Sequence, residues 1–502
     1  MVSPEASARW RGVVGLVVLI GLVLRLVHLD FGLPGAYHPD EIGATGETAR
    51  WLAGHPELHH YNHPPLLKNI AYVLLLARGA FSQAPPTAAT VVLALRWVSA
   101  LSGAATVLAV YLLALHFVRP RLALLAAALQ AVLPLTVVSS MYGVPDTLQG
   151  FLFVAGLVSA LGIHDRPTSR GYVLAGLSLS LAVGAKYLGG LLLLPLAIAH
   201  VLAARRARSA GEKLPRRWAL KLAAGAGAGL AASFPLLPFE LKDVWRDLWF
   251  EAGHLLVDGH HGYKVSGRDY GLVYHLGHSV LPAAGPALLA AIVAGLVLMA
   301  VRRGPKDVIL LAGVVPYYLV VEWAYLVPPV PERYVLPLIG PYLVAAIVAL
   351  DALCTRIRQP PRALAAGAAA AVAFLAWPVL RTVSVLDGMG SDTRAQMQAW
   401  MAEHLARGAV VAVDGGRTYY PDPLGVRYAS GDVALQGTAP PRTRYVLTSS
   451  LAYDRYLDHP EQVPAATAYY ADLFANGSLL HEAAASRRYL IHNPTLRLYE
   501  LP

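Results

Sequence analysis

Charge is scarce in this chain. Only 14% of its 502 residues are Asp, Glu, Lys or Arg, against about 25% in an ordinary soluble domain. With 56% of residues hydrophobic and a mean hydropathy of +0.49, lipid is the expected solvent. Cysteine is nearly absent: the single Cys354 excludes an internal disulfide framework and a Cys-based metal cluster. Also lacking are a Gly-rich phosphate loop, a zinc-protease motif and a nucleophile elbow in a credible context. The formal charge of +10 does not point to nucleic acid, because the basic residues sit in short clusters between apolar runs.

A membrane span needs about 20 mostly apolar residues. Such runs fall near 11–29, 91–117, 122–138, 147–163, 171–186, 188–204, 218–236, 271–300, 308–326, 334–352 and 363–383. They predict a polytopic α-helical membrane protein with about 11 spans. The first run follows Arg9 and Arg11 and lacks a small-residue cleavage site, so it reads as a retained span rather than a signal peptide. Arg119 and Arg121, Arg166 and Arg170, the cluster from Arg205 to Arg217, Arg302 to Lys306, and Arg356 to Arg362 all fall in alternate connections. The positive-inside rule makes that side cytoplasmic, together with the N-terminus. The connections 30–90, 139–146, 186–190, 237–270 and 327–333 then face outward. Counting 65–80 as a span would invert this alternation, so it reads as helix lying along the membrane surface.

Beyond about 384 the apolar runs shorten. Residues 409–413 and 445–448 read as short buried strands, and Asp392 to Leu405 as a helix. The chain thus divides into a transmembrane module over 1–384 and a small soluble α/β domain over 385–502, placed outside the cytoplasm.

Chemistry-bearing residues gather in the outward connections. Asp40 and Glu41 follow Pro39 at the start of a helix reaching Leu52; an N-cap role and a catalytic one are both open to them. Asp146 begins another span and has the same two readings. Two acidic positions at one membrane depth suit a reaction at the surface, where a carboxylate deprotonates an acceptor hydroxyl. Lys186 interrupts a long apolar stretch, and an ionisable group at such depth is a functional candidate as well as a snorkelling one. Lys68, Lys186 and Arg333 together suit an anionic phosphate. The loop 237–270 offers His254, His260, His261, Tyr263 and Tyr270, which read as sugar or acceptor contacts rather than as metal ligands. A divalent cation is an open alternative: Asp40, Glu41 and Asp146 bind one or act alone.

These motifs resemble the GT-C glycosyltransferases, in particular the protein O-mannosyltransferase and lipid A aminoarabinose transferase group. The resemblance rests on Asp40-Glu41 after the first span, the segment His63-Pro64-Pro65-Leu66-Leu67-Lys68, the stretch Arg96 to Gly103, and Arg333-Tyr334 with Pro337 and Pro341. Asp146 and Ala185-Lys186-Tyr187 also fit, so the resemblance covers roughly residues 10–350. It implies a polyprenyl-phosphate sugar donor, use of that donor on the outer face of the cytoplasmic membrane, and transfer with inversion. It further implies that Asp40 is the catalytic carboxylate with Glu41 its neighbour, that Asp146 is a second acid, and that Lys68 and Arg333 engage carrier phosphate. His63, Lys186, Tyr187 and Tyr334 join them as substrate contacts. The connection after the seventh span lacks the long inserted domain of eukaryotic members, and the tail carries no acceptor signature; glycan, lipid and protein acceptors stay open. A flippase and a non-catalytic lipid binder are the rival readings. Against the first stands the absence of paired halves with polar groups at mid-membrane.

Overall fold

The computed structural model describes residues 4–35, 38–55, 61–81, 84–259, 264–326, 331–431, 433–437, 443–485 and 490–501. Helix α1 (Pro4–Leu26) is followed by two short helices, α2 (Pro39–Leu52) and α3 (Leu66–Gly79), and then by α4 (Ala88–Ala114). Next come α5 (Pro120–Val132), α6 (Pro134–Ser139), α7 (Pro145–Asp165), α8 (Ser169–Ala185) and α9 (Leu193–Ser209). The module ends with α10 (Trp218–Ser233), α11 (Leu237–Gly253), α12 (Leu281–Arg302), α13 (Pro305–Trp323), α14 (Leu336–Arg356) and α15 (Pro360–Met389).

Among the described residues, six helical segments are long and apolar enough to cross a membrane, those built on α4, α7, α9, α12, α14 and α15. A seventh arises if α10 and α11, bent by 81° at their junction, count as one. By length and composition the count therefore falls below the expected eleven. The reasons are local: α1 and α5 have short apolar portions, and α13 carries Lys306, Asp307 and Glu322.

Two breaks explain where expectation and structure part. The run 122–138 is two helices because Pro134 has no N–H for the carbonyl of Gln130. Arg25 supplies the missing donors: its Nη2 reaches Gln130 O at 3.2 Å and its Nη1 reaches Ala131 O at 3.1 Å. Arg25, in the last turn of α1, is accordingly buried inside the bundle. The run 218–236 stops at Ser233, and the freed carbonyls of Ala232 and Ser233 accept from Asn69 Nδ2 at 3.0 and 2.9 Å. The chain then leaves as α11, so the expected loop 237–270 begins with a helix. Its Leu241, Trp245 and Trp249, one turn apart, are all exposed, as suits a helix lying at a membrane surface.

α8 and α10 approach until backbones touch. A Cβ on Gly225 would sit 2.0 Å from Val173 O, and one on Gly229 2.1 Å from Ser180 Oγ. This is the small-xxx-small packing that association in lipid favours. The basic connections meet at one end of the bundle, where Asp165 accepts from Lys306 Nζ at 2.9 Å and pairs with His116 Nδ1 at 2.8 Å.

After α15, which runs to Met389 and so past the expected boundary at 384, the tail forms an α/β unit. Its elements are α16 (Thr393–His404), β1 (Val410–Asp414), β2 (Arg427–Gly431), α17 (Val433–Gln436), β3 (Tyr445–Ser449), α18 (Ser450–Asp458), α19 (Pro464–Asn476), β4 (Ser478–Ala483) and β5 (Leu496–Glu500). The sheet order is β2-β1-β3-β5-β4, with β1 parallel to β2 and β3 and with β5 antiparallel to β3 and β4. The apolar runs of β1 and β3 are buried against α16, as their continuous hydrophobicity implies.

One ion pair fastens α2 to α4 and to the turn before α7. Arg96 on α4 donates through Nε and Nη2 to the two oxygens of Glu41 at 2.8 and 2.9 Å, and through Nη1 to the carbonyls of Leu29 and Phe31. Glu41 also accepts from Gly143 N at 2.6 Å. Burial alone would raise the Glu41 pKa, but the guanidinium outweighs it and the net direction is downward. Arg96→Met leaves a buried carboxylate without its partner, at a cost of ~3–5 kcal/mol. Its thermal midpoint in detergent, followed by size-exclusion chromatography, is expected well below wild type, with Arg96→Met/Glu41→Leu recovering part of the loss. Equal midpoints for Arg96→Met and wild type would refute the clamp.

Candidate active site

Two adjoining cavities open where α2, the segment 61–66, the starts of α7 and α14 and the end of α8 converge. The larger, about 530 Å³, has Asp40, His63, Asp146, Lys186, Arg333 and Tyr334 at its polar end. Its walls are apolar, with Leu248, Leu255 and Leu256 after the α10 bend and Val320, Val321 and Ala324 around the end of α13. The smaller, about 470 Å³, is lined by Asp40, Gly43, Ala44, Glu47, His63 and Lys68. Asp40 and His63 border both, so the carboxylate stands at the passage between them.

Local sequence explains how Asp40 is held. Pro39 opens α2 with its fixed φ, and His38 is the N-cap, its Nδ1 accepting from Asp40 N at 3.3 Å. The capping question is thereby answered: His38 caps, and the Asp40 side chain is left for the cavity. Arg333 Nη2 donates to Asp40 Oδ2 at 2.8 Å, while its Nε lies 3.4 Å from Asp146 Oδ2. Lys186 Nζ donates to Asp146 Oδ1 at 2.7 Å and sits 4.8 Å over the Tyr334 ring. Lys186 is the extended C-cap of α8, which turns its side chain away from the helix axis. Burial pushes the Asp40 carboxyl up, but Arg333 first, then His38, His63 and Lys186, hold it well below the usual carboxylate range. It is ionised in the free protein.

The structure brings together most of the expected residues. Asp40, Asp146, His63, Lys186, Tyr187, Arg333 and Tyr334 line the larger cavity, and the Tyr187 hydroxyl donates to Tyr61 O at 2.6 Å. Two expectations need correction. Lys68 does not join Lys186 and Arg333: α3 carries it into the smaller cavity, where it pairs with Glu47 and donates to His63 O at 3.4 Å. Glu41 does not border the larger cavity's carboxylate pair; both its oxygens are taken by Arg96 and Gly143, which makes it a scaffold residue. His260 and His261 lie outside the described residues, whereas His254 lines the larger cavity.

Glu47, Glu251 and Tyr317 also border the cavities, and sequence reasoning missed them. For Glu47 a signal existed. Asp40, Gly43, Ala44 and Glu47 follow the i, i+3, i+4, i+7 spacing of one helix face. Among the described residues no group of three His, Cys, Asp or Glu is placed to hold a metal ion. The Arg333 guanidinium bridges the two carboxylates that would be the natural ligands.

Residues 60–223 match the profile of the dolichyl-phosphate-mannose-protein mannosyltransferase family. That stretch contains Lys68, Arg96, Asp146 and Lys186 but not Asp40 or Arg333. No curated protein sequence matches the chain significantly. The structure is similar to that of the oligosaccharyltransferase AglB from Archaeoglobus fulgidus, solved with an inhibitory peptide and a dolichol phosphate. That similarity has a TM-score of 0.54 and 13% identity over 95% of this chain and 73% of that one. It is also similar to ArnT from Cupriavidus metallidurans bound to undecaprenyl phosphate, with a TM-score of 0.51 and 13% identity over 97% of this chain and 98% of that one. The chain thus shares its fold with AglB and ArnT, and over residues 60–223 its sequence resembles the mannosyltransferase family.

Proposed function

We propose that the chain is an inverting glycosyltransferase that moves a sugar from a polyprenyl-phosphate carrier to an acceptor hydroxyl on the outer face of the cytoplasmic membrane. The observation that carries this reading is the amphipathic larger cavity, with two fixed cations at one end and apolar walls at the other, meeting a second cavity at Asp40. A carrier phosphate suits Lys186 and Arg333, and a polyprenyl chain suits the walls. The acceptor takes the smaller cavity, where Glu47 and Lys68 offer it polar contacts. The eleven-span arrangement, with the basic connections inside and the α/β tail outside, belongs to this proposal.

In the reaction the acceptor oxygen attacks the anomeric carbon while the bond from that carbon to the phosphate oxygen breaks. The hydroxyl proton goes to Asp40, and the phosphate leaves with its new charge opposite Lys186 and Arg333. Asp40 is a poor base while Arg333 pairs with it, because that pairing depresses its pKa. A bound phosphate shares the guanidinium, weakens the pairing and raises the basicity of Asp40 as the donor arrives.

Three outcomes test the proposal. Asp40→Asn is expected to lower release of polyprenyl phosphate from polyprenyl-phosphate sugars by on the order of 10²-fold or more, with carrier binding retained. Undiminished release would remove Asp40 from the chemistry. Because the free-protein pKa of Asp40 lies below the ordinary carboxylate range, kcat/KM should show no acid limb from it between about pH 5 and 8. The acid limb of kcat, which reports the donor-bound state, should lie higher. Finally, Lys186→Met or Arg333→Met should weaken binding of polyprenyl phosphate by roughly 10-fold or more, the scale of a charge-assisted hydrogen bond. Lys68→Met should leave that binding near wild type and raise KM for the acceptor. The opposite pattern would exchange the two cavities.

A further inference from the structure

The tail domain reaches Asp40 through a chain of buried contacts. Leu490 and Ile491 pack into the core of the membrane module, not into the tail's own core. Leu490 has φ +63°, a left-handed backbone that a leucine adopts only when its surroundings impose it. The following residues are bolted to the tail. The carbonyl of His492 accepts from Arg394 Nη2 at 2.5 Å, and Asn493 Oδ1 accepts from Thr393 N at 3.0 Å and Thr393 Oγ1 at 2.7 Å. Asn493 Nδ2 donates to Ser391 O at 2.8 Å, and Arg394 is itself buried, with Nη1 on Thr418 O at 3.2 Å.

On the other side this segment meets the cap of α2. His492 N donates to Tyr142 Oη at 2.9 Å. The ring of His38 lies 5.0 Å from that of Tyr142 and 5.4 Å from that of His492, and all three side chains are buried. His38 in turn fixes the backbone of Asp40 by accepting from its N–H. Burial lowers the pKa of His38, which keeps the Nδ1 lone pair available for that bond.

We propose that His492 and Tyr142 are positioning residues for Asp40, and that the tail domain sets the catalytic geometry by wedging the His38 cap in place. Arg333 fixes the Asp40 carboxylate from one side, and the cluster of three tilted rings fixes its backbone from the other. The cations of the larger cavity do not depend on the ring cluster, so its loss alters alignment and not carrier affinity. The kinetic part of this inference rests on the transferase reading; the structural part does not.

The test compares His492→Ala, His492→Phe and Tyr142→Phe in the full chain, with turnover of polyprenyl-phosphate sugars and amide hydrogen exchange as two readouts. His492→Ala is expected to lower kcat roughly tenfold or more with KM for the donor within about twofold, the signature of lost alignment. Amides of residues 40–43 should exchange faster in the same variant, while those of α4 and α14 stay protected. His492→Phe keeps the ring and should recover most of both effects. Tyr142→Phe removes only the hydroxyl that accepts from His492, and should shift both readouts in the direction of His492→Ala. If His492→Ala does not fold, the two milder variants decide the matter. Unchanged exchange over residues 40–43 in every variant would overturn the inference, as would a raised KM with unchanged kcat. If wild type turns over no donor, the transferase reading fails, and the exchange experiment still decides whether the tail holds the cap.

Discussion

Two carboxylates of the larger cavity, Asp40 and Asp146, are anchored through the Arg96–Glu41 pair. Glu41 lies in the first turn of α2 and directly follows Asp40, while its other partner, Gly143, lies three residues before Asp146. Arg96 ties the same node to the end of α1 through Leu29 and Phe31. A buried pair of this kind contributes little net stability, since desolvation offsets its attraction, but it tolerates few alternative geometries. That geometric demand is what a site assembled from four separate helix ends requires. Gly143 completes the arrangement, because a Cβ there would sit 2.6 Å from the Leu95 Cβ and push the loop off α4.

Charge balance follows from the same arrangement. Asp40 and Asp146 are compensated by Arg333 and Lys186, so the free cavity is nearly neutral at its polar end. An anionic ligand entering such a place finds cations already positioned and loses little to reorganisation. It also perturbs the carboxylates it displaces from them. On the proposed reading, binding and activation of the base then become one event, and an unloaded site holds only a weak base. The carboxylates restrain the cations in the absence of ligand, which avoids leaving an unpaired charge at membrane depth.

The sequence revealed those parts of the site whose signals are local. Asp40 and Asp146 stood out as acids at helix starts and Lys186 as an ionisable group inside a long apolar stretch, and the alternation of basic connections assigned all three to one side. The strands β1 and β3 and the helix α16 were equally legible from short apolar runs and a helical pattern. Lys68 misled because it reads with Lys186 and Arg333 as a phosphate contact, whereas the first turn of α3 turns it toward Glu47. The bend after Ser233 went unread although Pro235 and Pro238 mark it locally; the Asn69 side chain that satisfies the freed carbonyl of Ser233 is 164 residues away. The contact between His492 and Tyr142 spans 350 residues and leaves no trace in either local pattern.

α11 joins the two solvents of the proposed reaction. One face presents Leu241, Trp245 and Trp249 outward, where indole rings favour the membrane–water interface. Leu248 and Glu251, nearby on the same helix, line the larger cavity. Asp247 lies between these sets in sequence and accepts from Tyr61 N at 2.6 Å, immediately before the Asn62-His63-Pro64 segment that borders both cavities. α11 therefore connects its exposed tryptophan face to the cavity wall and, through Asp247 and Tyr61, to the segment that carries His63. A ligand with a lipid tail and a phosphate head has the same division, apolar along the wall and anionic at its end. A reaction sited on α11's inner face can thus draw its donor laterally from the bilayer while its second cavity, beside Asp40, serves an acceptor with polar contacts of its own.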